Sequence, residues 1–271
     1  MVAINVEGAR LLAATLSLEL DLREGTALPP CWHWVYLHPH ARTEDLRQDG
    51  HPLEAAPHPE ASQWPRMWGS GSLRWHDEIR LGEMLRHERS IADVKMKTGR
   101  SGRLCVCDIV HRWSRDADLL LEEVQTIVYR EPGEAPQARP DRPSNNDPVT
   151  SCLAAPSWEH TFCETELFRY SALTFNAHRI HYDADYARDV EGHPGLVVHG
   201  PLLATLTAGF AQASTGDLSR LSQFEYRIMA PVFCRQEARF LFDASSGAAC
   251  VVSNGRTTLT AQCRFTGERP A

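Results

Sequence analysis

Apolar and polar positions follow two rhythms along this chain, one close to four residues and one of two. Leu12, Leu16 and Leu20 recur every fourth residue within 7–20, the spacing of an amphipathic helix. "CWHWVYL" (31–37) is aromatic and β-branched and reads as a strand. Residues 38–66, rich in His, Pro and charge, read as a long loop. From Gly71 the period becomes two. It predicts strands at 72–76, 84–97, 103–114 and 119–130, an antiparallel meander with turns at "KTGRSG" and "SRDAD". Residues 132–148 hold five prolines and little apolar material, so they read as a linker between an N-terminal unit, 1–131, and a C-terminal unit, 149–271.

The second half repeats the first in outline. "RYSALTF" leads in as a strand, a short helix follows at 183–190 and a longer one at 199–214, and strands are predicted at 221–229, 235–245, 248–253 and 257–266. "SLRWHDEIRLGE" and "QFEYRIMAPVFCRQ" share an alternating strand, a kink and a second alternating stretch, which points to an internal duplication. "GPLLATLTAGFAQA" is apolar on nearly every side, and a helix apolar all round must be buried all round. A curved sheet folded over it achieves that. The expected class is α+β: a double hot-dog, two antiparallel sheets each wrapped around a helix and fused in one chain.

Composition narrows the partners. The 271 residues are 42% hydrophobic and 23% charged, an ordinary globular mix. A net charge of −7 argues against nucleic acid, while leaving room for a local basic patch that holds a phosphorylated small molecule. The eight cysteines include no C-x-x-C, and Cys105 and Cys107 share one strand face, so reduced core thiols are expected. The N-terminal stretch lacks a basic lead, carries Glu7 and is broken by Arg10, so neither a signal peptide nor a membrane span is read there. A cytoplasmic location is expected.

Chemistry crowds into "LTFNAHRIHYD" (173–183), just before the apolar run "LVVHGPLLATL". Together, "ALTFNAHRIHYD", "YA" and "EGHPGLVVHGPLLATL" resemble the MaoC-type enoyl-CoA hydratases. The closer resemblance is to their double-hot-dog branch, which includes hydroxyacyl-thioester dehydratases type 2 and mesaconyl-CoA and itaconyl-CoA hydratases. "LPPCWHWVYL", "RMWGSGSLRW", "IADVKMKTGRSGRL" and "EEVQTIVYRE" look like that branch's N-terminal domain, so the resemblance covers nearly the whole chain. In the family motif D-x-N-P-x-H-x-D, Asn176 takes the acidic position. His178 replaces the asparagine, Arg179 the proline, His181 keeps the catalytic histidine and Asp183 the last acid. The N-terminal half carries no such motif.

Hydrating a double bond beside a thioester requires a base for water, a proton for Cα and donors for the thioester oxygen. The resemblance implies His181 as base; a surface histidine after a strand is the bland alternative. Asn176 would hold the water or the imidazole. The Cα proton would come from His181 itself, from His178 or from Asp183, although His178 also suits packing and Asp183 suits a helix N-cap. Gly200, followed by Pro201, opens the buried helix, where a free N–H and the helix dipole can hold an oxyanion. His199 is assigned to lining the site, with Tyr182 on the substrate side. Because H-x-x-H lacks the spacing of a zinc-protease helix, His178, His181, His193 and His199 are not read as a metal set, and no cofactor is expected.

Arg227, Arg100 and Arg103 are candidates for CoA phosphates, and Arg66 and Arg179 for a substrate carboxylate. The implied reaction is hydration of a short branched dicarboxylic enoyl-CoA, itaconyl-CoA or mesaconyl-C4-CoA, to citramalyl-CoA. A 3-hydroxyacyl-thioester dehydratase of fatty-acid metabolism and a hot-dog thioesterase or acyl-CoA-binding protein are the alternatives. A homodimer is the expected assembly.

Overall fold

The computed structural model describes residues 1–53, 57–99, 102–132, 155–216 and 220–266. The predicted linker, 132–148, therefore lies almost wholly outside the described residues, with both proposed unit boundaries beside it.

Ten antiparallel strands form one continuous sheet: β1 (Val2–Ala3), β2 (Arg66–Trp75), β3 (Met84–Gly99), β4 (Gly102–Arg115), β5 (Asp118–Arg130), β6 (Ser157–Thr161), β7 (Leu221–Ile228), β8 (Glu237–Asp243), β9 (Ala248–Ser253) and β10 (Arg256–Phe265). Their order is β1-β3-β4-β5-β2-β7-β10-β9-β8-β6. The two predicted sheets thus join edge to edge where β2 meets β7, with Ser70 opposite Arg227 and Leu73 opposite Phe224. This seam leaves neither half an open edge at the centre of the molecule.

Four helices complete the described fold: α1 (Val6–Thr15), α2 (Glu164–Leu173), α3 (Ala184–Asp189) and α4 (Gly200–Ser214). Helix α4 is the all-apolar segment, buried from Leu202 through Ala208 and packed against β7, β8, β9 and β10. In the N-terminal half the corresponding place is shared by α1 and a buried 3-10 turn, Trp32–Tyr36.

That turn corrects the strand expected at 31–37. All five of its residues are buried, so no alternation distinguishes strand from helix there, and Cys31 enters it at a left-handed φ of 69°. "RYSALTF" is likewise the end of α2, not a strand. Its buried residues Leu167, Tyr170 and Ser171 are spaced by three and four, and Phe175 breaks the helix at φ 50°. Helix α1 stops at Thr15 rather than residue 20, and Ser17 turns left-handed with Leu18 and Leu20 left exposed. Strand β2 starts at Arg66, six residues before the predicted start, through a bulge between Trp68 and Ser70. The short edge strands β1 and β6 carry too few residues to show a period.

Cys105 and Cys107 do share a buried face, against Ile127 and Tyr129, and no disulfide links the described cysteines. Among the described residues, no helix is long and apolar enough to cross a membrane.

Candidate active site

The motif turn is built by its own polar groups. Past α2, Asn176 accepts the His178 N–H with its Oδ1 at 3.0 Å, an Asx turn that swings the chain into a 3-10 turn over Arg179–His181. Asp183 then caps α3, accepting the Tyr186 N–H at 3.0 Å. One expectation narrows here and another is corrected. The Asn176 oxygen is engaged by the backbone, which leaves its amide NH2 as the group for water or imidazole. Asp183 is an N-cap that also pairs with Arg179 at 2.7 Å, and it does not border the cleft described below, so it is removed as the Cα proton source.

His181 is 6% exposed and donates from Nδ1 to the Val197 carbonyl at 2.7 Å. Since a carbonyl can only accept, Nδ1 carries the hydrogen and Nε2 presents a lone pair, which no group among the described residues claims. Burial, then the neighbouring His199 and His178 rings, push its proton affinity well below the usual histidine range. The neutral, basic form is therefore the stable one.

His199 corrects a further assignment. It is fully buried and does not line the cleft. Its ring stacks on His181 at 3.6 Å, and its Nε2 meets Ser171 Oγ at 2.8 Å. Burial lowers it to about 3, so it is an uncharged slab behind the base.

Gly200 opens α4 on the cleft wall, beside Trp68 and Ile228. Its N–H has no hydrogen-bond partner among the described residues; the first helical bond at this end runs from Leu203 N to His199 O. A free donor at the positive end of a buried helix suits a thioester oxygen gaining charge.

The cleft itself holds about 2000 Å³ and is lined from both halves. His178, His181, Asn176, Tyr182 and Gly200 border it, and Tyr182 ties its hydroxyl to the Ala177 carbonyl at 3.1 Å. Arg66 borders it too. Burial lowers its proton affinity, and no carboxylate lies within ion-pair reach among the described residues. Arg179 is the reverse: its guanidinium is held by Asp183, lies over the Tyr186 ring at 4.0 Å and does not border the cleft. It is unsuited to a substrate carboxylate.

Of the three arginines assigned to CoA, Arg227 faces the cleft, whereas Arg103 is engaged by Glu60 and lies over Trp64. Arg100 lies outside the described residues. Sequence reasoning passed over Arg89 and Lys97, which also line the cleft and make it locally basic in a chain of net charge −7.

Also unforeseen is the turn Arg47–His51, part of the supposed loop. Arg179 N donates to Asp49 O at 2.9 Å, and Gly50 (φ 90°) packs so closely that a Cβ there would fall 1.8 Å from the Ala177 carbonyl oxygen. Gly50→Ala is expected to strain this backbone by about 1–3 kcal/mol and to push the two turns apart. The check is a lower Tm together with a loss of activity; a native Tm would mean the contact relaxes freely.

Asp49, His51 and His178 offer ligand atoms within 4.8 Å of one another, the grouping with metal-like spacing among the described residues. It is not the histidine set weighed from the sequence: His193 packs on Phe233 instead. Arg47 already pairs with Asp49, and the Arg66 charge acts on His51, so both oppose a cation.

Residues 31–234 match the family model for hydroxyacyl-thioester dehydratase type 2. The chain is 40% identical over 231 residues to mesaconyl-C(4)-CoA hydratase of Chloroflexus aurantiacus, covering 83% of this chain and 79% of that one. HtdX of Mycobacterium tuberculosis has a similar structure, with a TM-score of 0.69 at 16% identity, covering 97% and 96% of the two chains. A second Mycobacterium tuberculosis protein, described as a double hot-dog, matches with a TM-score of 0.57 at 13% identity over 97% and 92%. With the helix-wrapping sheet and the histidine turn in place, the chain belongs to the hydroxyacyl-thioester dehydratase type 2 family and has the double hot-dog fold.

Proposed function

We propose that this protein hydrates a short, branched dicarboxylic enoyl-CoA, with mesaconyl-C4-CoA the favoured substrate and citramalyl-CoA the product. The chain is a hydro-lyase, as are the relatives whose family it shares. The observation that carries the substrate class is Arg66, a half-buried cation on the cleft wall with no carboxylate within ion-pair reach among the described residues. A partly desolvated charge without an ion-pair partner is unfavourable, and a carboxylate on the substrate's β-carbon would complete it bidentately. The 40% identity to a mesaconyl-C(4)-CoA hydratase points the same way.

In the hydration direction, His181 Nε2 takes a proton from water as the water oxygen bonds to Cβ. The C=C electron pair shifts onto the thioester oxygen, which the Gly200 N–H receives, and the enolate then collects a proton at Cα. No step needs a metal or a cofactor beyond the CoA that the substrate brings; Arg227, Arg89 and Lys97 suit its phosphates.

The family description favours one alternative, dehydration of longer 3-hydroxyacyl thioesters. The cleft offers such a chain Leu104, Val106, Ile109 and Val128, but Arg66, His87, His111 and Gln125 also stand on its wall and would face the alkyl chain with polar groups nearby. Assays with mesaconyl-C4-, itaconyl- and crotonyl-CoA in EDTA, following loss of the unsaturated thioester, test the proposal. Preference for mesaconyl-C4-CoA is the expected result, and preference for crotonyl or longer chains would overturn it.

A further inference from the structure

The mechanism leaves the Cα proton without a dedicated donor, because the family's motif acid is Asn176 here and Asp183 is committed to a cap. A carboxylate–imidazole pair nevertheless reaches the cleft from the other half of the chain. Asp49 accepts the His51 backbone N–H at 2.9 Å, and its Oδ2 lies 3.4 Å from His51 Nδ1. Arg47 holds the same carboxylate and anchors the turn to the Ser62 and Trp64 carbonyls. The His51 ring packs on His178 with centroids 4.1 Å apart, and His178 meets His181 edge-on at 5.3 Å. His51 borders the cleft. Its Nδ1 is buried and makes no hydrogen bond of normal geometry, with Asp49 Oδ2 close enough to act on the ring by charge, while Nε2 is not a buried orphan and belongs to a ring that borders the cleft.

We infer that His51, backed by Asp49, is a second acid–base residue of this active site, contributed by the N-terminal half in place of the missing motif acid. This rests on the hydratase reading above. His181 takes the water proton. The enolate pair forms the Cα–H bond with a proton from His51 Nε2; once product leaves, His181 gives its proton to solvent in the cleft and His51 takes one back, so the protein ends as it began. One O–H bond and one C=C π bond are broken, and one C–O and one C–H bond are formed.

The groups facing His51 are Asp49 and Arg47 of its own turn, His178 of the motif turn and Arg66 of β2. Burial, with His178 and Arg66, brings its proton affinity down to about 4, and Asp49 pulls the other way. A substrate carboxylate at Arg66 cancels one opposing charge, which favours the protonated ring when the right acyl group is bound. Asp49 itself stays ionised well below the usual carboxylate range. Burial opposes that ionisation, but the nearby His51 ring, the His51 backbone N–H and the Arg47 charge outweigh it.

The test uses full-length His51→Asn, Asp49→Asn and Asp49→Glu, with kcat, KM and the pH–rate profile for mesaconyl-C4-CoA, and Tm as a check on folding. His51→Asn is expected to lower kcat by roughly 10²–10³ while KM stays within about threefold, and to lose one limb of the pH profile. Asp49→Asn should displace that limb to lower pH, since the ring loses the charge that favours its protonation, and Asp49→Glu should restore it. Wild-type kcat and an unchanged profile in a natively folded His51→Asn would overturn the inference alone. Should His51→Asn fail to fold, an unmoved profile in Asp49→Asn would overturn it equally. A wild type inactive on every enoyl-CoA would overturn both this and the hydratase reading.

Discussion

Replacing His181 by Asn is expected to lower kcat for the enoyl-CoA substrate by roughly 10²–10⁴, about 3–5 kcal/mol of barrier, with the fold retained. Asparagine is the informative choice because its amide can still donate to the Val197 carbonyl, the bond that orients the ring now. What it lacks is the outward Nε2 lone pair. Alanine would also leave the His199 face, now covered at 3.6 Å, without its partner, mixing a packing loss into the result. The pH dependence carries a further signature. His181 is held well below the usual histidine range, so its neutral form persists as the pH falls through 6.5. Activity should not drop there on its account. An acid limb centred at an ordinary histidine value and abolished by His181→Asn would show that the ring is solvated, against the buried geometry. Near-normal turnover in His181→Asn would remove the residue from the mechanism.

Arg66→Gln is expected to act on specificity. If the substrate's β-carboxylate meets the half-buried guanidinium and the bound substrate covers the pair, its loss costs about 2–5 kcal/mol, roughly 30- to 5,000-fold in kcat/KM on mesaconyl-C4-CoA. Crotonyl-CoA carries no such carboxylate and should change far less. The ratio of the two kcat/KM values is therefore the measurement. Stability should move the other way or not at all. The native protein keeps Arg66 half-buried with Arg89 acting on it unfavourably, so neutralising it removes a partly desolvated charge. Lower activity on the dicarboxylate together with an equal or higher Tm is the mark of a charge kept for a ligand. Equal losses on both substrates would reassign Arg66 to CoA or to the fold.

Much of this site was legible in the sequence, for local reasons. Asp183 as a cap, Gly200-Pro201 as a helix start and His181 in motif register depend on neighbours a few residues away. Arg179 was expected at a substrate carboxylate, whereas Asp183, which follows the 3-10 turn, takes its guanidinium. Nothing local marked the segment 47–51. Its His/Pro-rich texture reads as surface, yet Gly50 and Asp49 dock on the motif turn from the other half of the chain.

The period of two determined the meanders and the all-apolar run determined the buried helix, because one-sided or complete burial leaves a rhythm in the order of residues. Only the tertiary structure decided how short, wholly buried runs fold. Trp32–Tyr36 became a 3-10 turn because every side chain there finds cover, and no rhythm survives when all faces are buried. It also decided which charges are answered: Arg179 by Asp183, Asp49 by Arg47, and Arg66 only at a distance by Asp49, with no carboxylate in ion-pair reach among the described residues. Pairing and desolvation depend on distance through space, and the groups that set them for Arg66 and His51 come from strands and turns far apart in the chain.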